Sequence, residues 1–290
     1  MNAKRTKQLF YFYVILIIIA GMVTSNALNR IGVYQITKRI KNEGIQFDSF
    51  REMNLSEKMI RSVIKEMNSV HPKRGASSEI YLKSIDYLTV NMMVNHYARN
   101  NTIKISKKNY NNLIRNLSGN RTFLELKKYY SSILQDIKCF PVAKNPEGDL
   151  IVSFEDSWNA YRTYGGIRRH EGTDLMPKEN IRGYYSILSM TDGTIEKMGW
   201  LNKGGYRVGV RGNSGAYYYY AHLESYAPGL KVGDEVKAGQ FLGYMGDSGY
   251  GIEGTTGQFD VHLHFGIYVE TPFGELSVNP YWILRFLENG

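Results

Sequence analysis

Glycine punctuates this chain unevenly: residues 1–139 hold 5 and residues 140–290 hold 24. Glycine is costly inside helices and well suited to tight turns. The first stretch can therefore be helical, while the second must be broken into short elements. Charge divides at the same place. Residues 1–139 carry 23 Lys and Arg against 9 Asp and Glu, a net +14, whereas residues 140–290 carry 13 against 18, a net −5. An α+β chain is expected, with a mainly helical region over 30–139 and an antiparallel β domain over 140–290.

A third segment precedes these. Lys4, Arg5 and Lys7 lead into the apolar run Leu9 to Val23, about 15 residues with no charge. Positive charge followed by such a run reads as a secretory signal or a membrane anchor. It is shorter than the roughly 20 residues of a full span, and Ser25-Asn26-Ala27 offers a small-x-small cleavage site. The preferred reading is an uncleaved single-pass anchor over 1–29, with the rest of the chain outside a bacterial membrane. The protein would be secreted if the segment were removed. Cys139 is the only cysteine, so no intrachain disulfide forms.

Between 30 and 139, Asn54-Leu55-Ser56-Glu57 and Thr122-Phe123-Leu124-Glu125 resemble capping boxes, each a cap residue with Glu three positions on. Ile60, Val63, Ile64 and Met67 keep helical spacing after the first. Leu126, Tyr129, Tyr130, Ile133, Leu134 and Ile137 keep it after the second. Residues 80–97 and 107–117 are further helix candidates. His71 and His96 have no partners at ligand spacing and read as structural or surface residues. The basic balance brings no nucleic-acid motif with it, so no nucleic-acid partner is expected. A spacer, a wall-binding element or a cover over a site remain open for this region.

From Phe140 onward, short alternating runs stand between glycine turns: 185–188, 193–198, 206–211, 217–221, 235–237 and 241–244. Many short strands at close spacing indicate an all-β arrangement. Over Phe259 to Ile267, Val261, Leu263, Phe265 and Ile267 alternate with His262, His264 and Gly266. In a strand, His262 and His264 therefore share one face. His170-Glu171-Gly172-Thr173-Asp174 supplies His-x-x-x-Asp. Gly172 and Thr173 are poor helix residues, so a turn entering a strand at Asp174–Met176 is expected. Tyr220-Ala221-His222-Leu223 sets another histidine at the end of an aromatic strand. Each motif alone is commonplace. Together they hold four of the six histidines. Imidazole and carboxylate are good zinc ligands, and a catalytic zinc keeps three protein ligands and one open position. His170, Asp174 and one of His262 or His264 make such a set. Of the four tyrosines Tyr217–Tyr220, alternation turns two to each face.

Residues 168–174, 220–223 and 262–265, with the glycine-rich stretch 229–246 between them, resemble the lysostaphin/LytM-type zinc metallopeptidases over about 140–285. The resemblance implies a largely antiparallel β fold with a groove for one Zn2+ ion. It implies His170, Asp174 and His264 as metal ligands and His222 and His262 as the catalytic pair. It implies hydrolysis of peptide bonds in peptidoglycan stem peptides or cross-bridges. Some relatives have lost ligands and act as silent binding or scaffold proteins, which is the alternative here, although every key position is kept. A biotinyl-type carrier would need a lysine at the turn 245–249, and none is present. Oligomeric state is not legible.

Overall fold

The computed structural model describes residues 3–69, 83–99, 103, 105–163 and 166–288. His71 and residues 80–82 of the expected helix 80–97 lie outside the described residues. Six helices come first: α1 (Ala3–Asn42), α2 (Phe47–Arg51), α3 (Glu57–Ser69), α4 (Lys83–Val94), α5 (Lys107–Leu117) and α6 (Arg121–Leu134). Twelve strands follow: β1 (Val152–Ser153), β2 (Tyr161–Arg162), β3 (Arg168–Arg169), β4 (Thr173–Pro177), β5 (Ser186–Leu188), β6 (Gly193–Leu201), β7 (Gly205–Gly212), β8 (Tyr217–Tyr226), β9 (Glu235–Val236), β10 (Phe241–Met245), β11 (Leu263–Thr271) and β12 (Gly274–Val278). A last helix, α7 (Tyr281–Glu288), begins just after Pro280.

α1 has two parts in one unbroken helix. Its apolar residues from Leu9 to Ile31 are exposed on every side. From there Val33, Thr37 and Ile40 are buried, one stripe at helical spacing, and they join the helical core. α1 is long and apolar enough to cross a membrane. The helix continues well past residue 29.

Both expected capping boxes are displaced. α3 is entered at Ser56, whose hydroxyl accepts from Met59 N at 3.4 Å, not at Asn54. α6 is capped by Asn120, whose Oδ1 accepts from Phe123 N at 2.9 Å, not by Thr122. In each case the capping oxygen comes from a side chain two positions away, and Asn120 has the extended backbone a cap needs. Phe50, Leu55, Ile60, Leu113, Phe123, Leu126, Tyr130 and Ile133 fill the space between the helices.

The main sheet runs β1-β4-β11-β8-β7-β6-β9, with β12 on β11 and β10 joining β8 to β5, and every pairing is antiparallel. Each short run expected from alternation contains a strand. β6 and β8 extend beyond theirs to Leu201 and Tyr226. The strand expected from Phe259 begins only at Leu263 and continues to Thr271. His262 sits just ahead of it, in an isolated bridge with Gly246. β12 and α7 were not expected.

One face of β8 and β11 is apolar. Tyr218, Tyr220, Phe265 and Ile267 are fully buried. The Tyr218 hydroxyl donates to Ile133 O at the end of α6 (2.8 Å). Asp136, just past α6, accepts from Ser214 N at 2.6 Å and Ser214 Oγ at 3.0 Å in the β7–β8 turn. Arg51 Nε donates to Ser277 O at 2.8 Å. One apolar core is thus continuous across residue 139. The helices cover one side of the sheet and leave the other open.

Candidate functional site

The open side is a cleft of about 900 Å³ floored by β4, β11, β8 and β7. No described residue before Arg162 lines it, so the described part of the helical region does not cover it. Register brings the motifs together. His264 pairs with Asp174 of β4 on one side and with Ala221 of β8 on the other. His170 precedes β4 by a short loop. The loop passes tightly over β11: a Cβ on Gly172 would lie 2.7 Å from His264 Cε1. Glycine is required there by space, not by turn geometry.

His170 Nε2, Asp174 Oδ1 and His264 Nδ1 form a triangle with all three sides 3.0 Å. His170 Nδ1 lies 2.9 Å from Ser157 O, which can only accept. Arg162 Nη2, which can only donate, stands 3.1 Å from the same Nδ1, so the ring is held from both a donor and an acceptor while its Nε2 faces the Asp174 carboxylate. Ligands spaced tetrahedrally about zinc at 2.0–2.2 Å stand about 3.3–3.6 Å apart, a little wider than this triangle. Two imidazoles and one carboxylate that converge in this way fit a zinc-type ion. Among the described residues these three form the group able to hold a metal.

His222 and His262 stand beside the triangle with ring centroids 4.7 Å apart. His222 Nδ1 donates to Ser248 O and His262 Nδ1 to Asp260 O, each at 2.7 Å. Both rings line the cleft, and each keeps its Nε2 free of the proton held at Nδ1. His262 Nε2 is 3.7 Å from Asp174 Oδ1. His222 has φ +64°, a conformation side chains other than glycine seldom adopt. It is held by His222 N donating to Gly204 O and Gly246 N donating to His222 O, both at 2.9 Å. Phe259 packs edge-on against His222, centroids 4.6 Å apart, and against His262 at 5.1 Å.

Electrostatics separates these groups. Burial pushes the Asp174 carboxyl up, but its contacts with His170 and His264 outweigh that and hold it well below the usual carboxylate range. Burial, then the neighbouring His262 and His264, push His222 well below the usual imidazole value. His222 is a neutral base at neutral pH. Burial also lowers His264.

Sequence reasoning missed Arg162. Its guanidinium donates to Asp174 Oδ2 at 2.7 Å and so fixes the carboxylate from behind. It lies eight residues before His170 with no characteristic spacing. The carbonyls of Ser157, Ser248 and Asp260 were also missed, because a backbone acceptor leaves no mark on residue type. Glu171 is exposed, as expected for a residue outside the constellation. Tyr217 and Tyr219 line the cleft, and Tyr218 and Tyr220 point to the core.

Residues 168–280 match the model of peptidase family M23. The crystal structure of lytM from Ruminococcus gnavus ATCC 29149, a candidate glycyl-glycine endopeptidase, is 39% identical with a TM-score of 0.65. The match covers 83% of this chain and 90% of that one. The chain belongs to peptidase family M23. Among curated relatives, the L-Ala--D-Glu endopeptidase of Bacillus subtilis (strain 168) is 34% identical over 194 residues, 67% of this chain and 53% of the relative. Lysostaphin of Staphylococcus simulans is 38% identical over 101 residues, 34% of this chain and 19% of the relative. The chain thus spans about half the length of the first of these and less of the second. The likeness to the lytM structure is too long to fit within 140–290, so this M23 chain shares part of its helical region with that protein as well.

Proposed function

We propose that the chain is a zinc-dependent endopeptidase that hydrolyses peptide bonds in peptidoglycan stem peptides or cross-bridges. His170, Asp174 and His264 hold the ion, and His222 and His262 act on protons beside it. The observation that carries this reading is the 3.0 Å triangle of donor atoms with two tautomer-fixed imidazoles leaning over it. The names of the relatives supply the substrate class. Zinc held there supplies Lewis acidity, acidifying a water and polarising the scissile carbonyl.

The protein's own groups do the rest. His222, neutral and desolvated, takes the proton of the attacking water at Nε2. The resulting imidazolium is stabilised through Nδ1 by Ser248 O and returns its proton to the departing amine. His262, oriented by Asp260 O, faces the same space with Nε2 as an acceptor, where it can take a hydrogen bond from the amine of the scissile bond. Phe259 excludes water from both rings. Arg162 holds Asp174 in place through Oδ2.

α1 is read as a single-pass anchor through its exposed apolar segment, with the β region outside the cytoplasm. The test is release of muropeptides from purified sacculi, read by mass spectrometry. Zinc-loaded protein should release them, and chelation should stop release until zinc is restored. Zinc-loaded protein that binds sacculi and releases nothing would sink the enzyme reading and favour a silent scaffold.

A further inference from the structure

The β region is net negative, yet its cleft is rimmed by six cations, Arg162, Arg168, Arg169, Lys197, Lys203 and Arg207, against three carboxylates, Glu171, Asp174 and Glu275. Most of this charge is already engaged. Arg162 holds Asp174, Glu275 is held by Arg211 at 2.6 Å, and Lys197 lies 3.8 Å from Glu196. Arg169 sits over Tyr161 and donates to Asn159 O. Arg168 donates to the Tyr250 hydroxyl. Arg207 differs. Its Nη1 is buried without a hydrogen-bond partner, and it makes no ion pair with any described carboxylate.

A buried guanidinium nitrogen with no acceptor is costly to keep. Arg207 has few places to turn for one. Val208 and Val210, its neighbours on β7, are fully buried in the core, so alternation puts Arg207 on the cleft side. Its charge acts on Tyr217, Tyr219 and Tyr226, whose hydroxyls are raised by burial and lowered in part by Arg207. The tyrosines offer weak acceptors and no counter-charge. In the register β4-β11-β8-β7, Arg207 lies opposite the Ala221–His222 end of β8, in the row that carries Asp174 and His264. Two strand spacings, about 10 Å, separate its backbone from that of His264. Its long side chain reaches back over part of that distance. Lys203, exposed on the same rim, has no ion pair among the described residues either.

We infer that Arg207, with Lys203 beside it, forms a carboxylate-binding subsite, so that the preferred substrate is a peptide bearing a free carboxylate within one or two residues of the bond that reacts. Nη1 itself is closed off, and the counter-charge that the guanidinium lacks in the cleft is supplied by the substrate. A planar guanidinium engages a carboxylate through two parallel N–H bonds. A neutral oligoglycine bridge has nothing to offer it. The inference names the substrate class for the endopeptidase reading and rests on that reading for the bond in question. Its binding test does not.

Three probes separate the cases: a stem-type peptide Ala–D-Glu–Lys–Ala with free carboxylates, its fully amidated counterpart, and pentaglycine amide. Binding is measured by calorimetry on the full-length chain in detergent after chelation, so that no turnover intervenes. The acid peptide should bind about 10- to 100-fold more tightly than either neutral probe, the range for one hydrogen-bonded charge. Arg207→Gln should collapse that ratio to about one, and Arg207→Lys should restore part of it, with folding checked by circular dichroism. Equal binding of acid and amide by the unaltered protein, or a preference that survives Arg207→Gln, overturns the assignment. Failure of the zinc-loaded protein to release any product from sacculi would instead sink the endopeptidase reading and leave the binding result standing.

Discussion

The two faces of β8 and β11 are built from the same residues in alternation, and they obey different rules. On the covered face Tyr218, Tyr220, Phe265 and Ile267 are fully buried against α6 and the segments that follow it. On the cleft face Tyr217, Tyr219, His264 and Tyr268 surround polar groups that point at each other or at open space. The covered face is tied to overall stability and tolerates no loss of volume. The cleft face is tied to donor geometry and spends stability on it, as the left-handed His222 illustrates. A substitution on one face should therefore move an observable that its neighbour in sequence leaves alone.

The largest contrast lies within the cleft. Asp174→Ala or His264→Ala should lose the metal and at least about 10³-fold in kcat/KM together. His222→Ala or His262→Ala should keep the metal and lose about 10²- to 10⁴-fold in turnover. Elemental mass spectrometry of the purified variants checks this, and loss of metal from His222→Ala would reverse the assignment of roles. Next comes the covered face. Phe265→Ala, next to His264, should cost about 3–5 kcal/mol in urea unfolding. A small loss there would mean the helical layer is not held as the core indicates.

How much of this the sequence disclosed follows the same division. Alternation over Tyr217–Ala221 and Tyr206–Arg211 located the strands, because burial on one face only leaves a period of two. It misplaced the start of β11, since Phe259 and Val261 are apolar for another reason: Phe259 packs on His222 and His262. The five site residues were found through motif resemblance and converge in the structure. Ligand spacing by itself left His262 and His264 interchangeable. Arg162 and Arg207 went unnoticed because a lone arginine in an alternating run looks like any solvated charge. Asn120 was overlooked as a cap because Thr122, not Asn120, has a glutamate three residues on.

A finer contrast uses adjacent tyrosines. Tyr218→Phe leaves Ile133 O without its hydroxyl donor and should cost about 1–2 kcal/mol. Tyr219→Phe should cost under about 0.5 kcal/mol. Equal losses would erase the distinction between the faces. The smallest effect lies at the margin of the helical layer. The Lys138 ammonium, 2.6 Å away, and then Ala238 N hold the Asp192 carboxyl below its ordinary value of 3.8. A lowered folded-state value contributes stability above the ordinary value and loses it as pH falls through the lowered one. Asp192→Asn should therefore flatten the acid limb of the stability curve, by less than about 1 kcal/mol for so exposed a pair.

α1 passes from its bare apolar stretch into the packed bundle without a break. If that stretch sits in lipid, the remainder is a mast about 28 Å tall over residues 24–42, with no swivel at its foot. Under the proposed function the cleft would then be held at one height above the bilayer, and lengthening or shortening the mast by whole turns would raise or lower the plane it reaches.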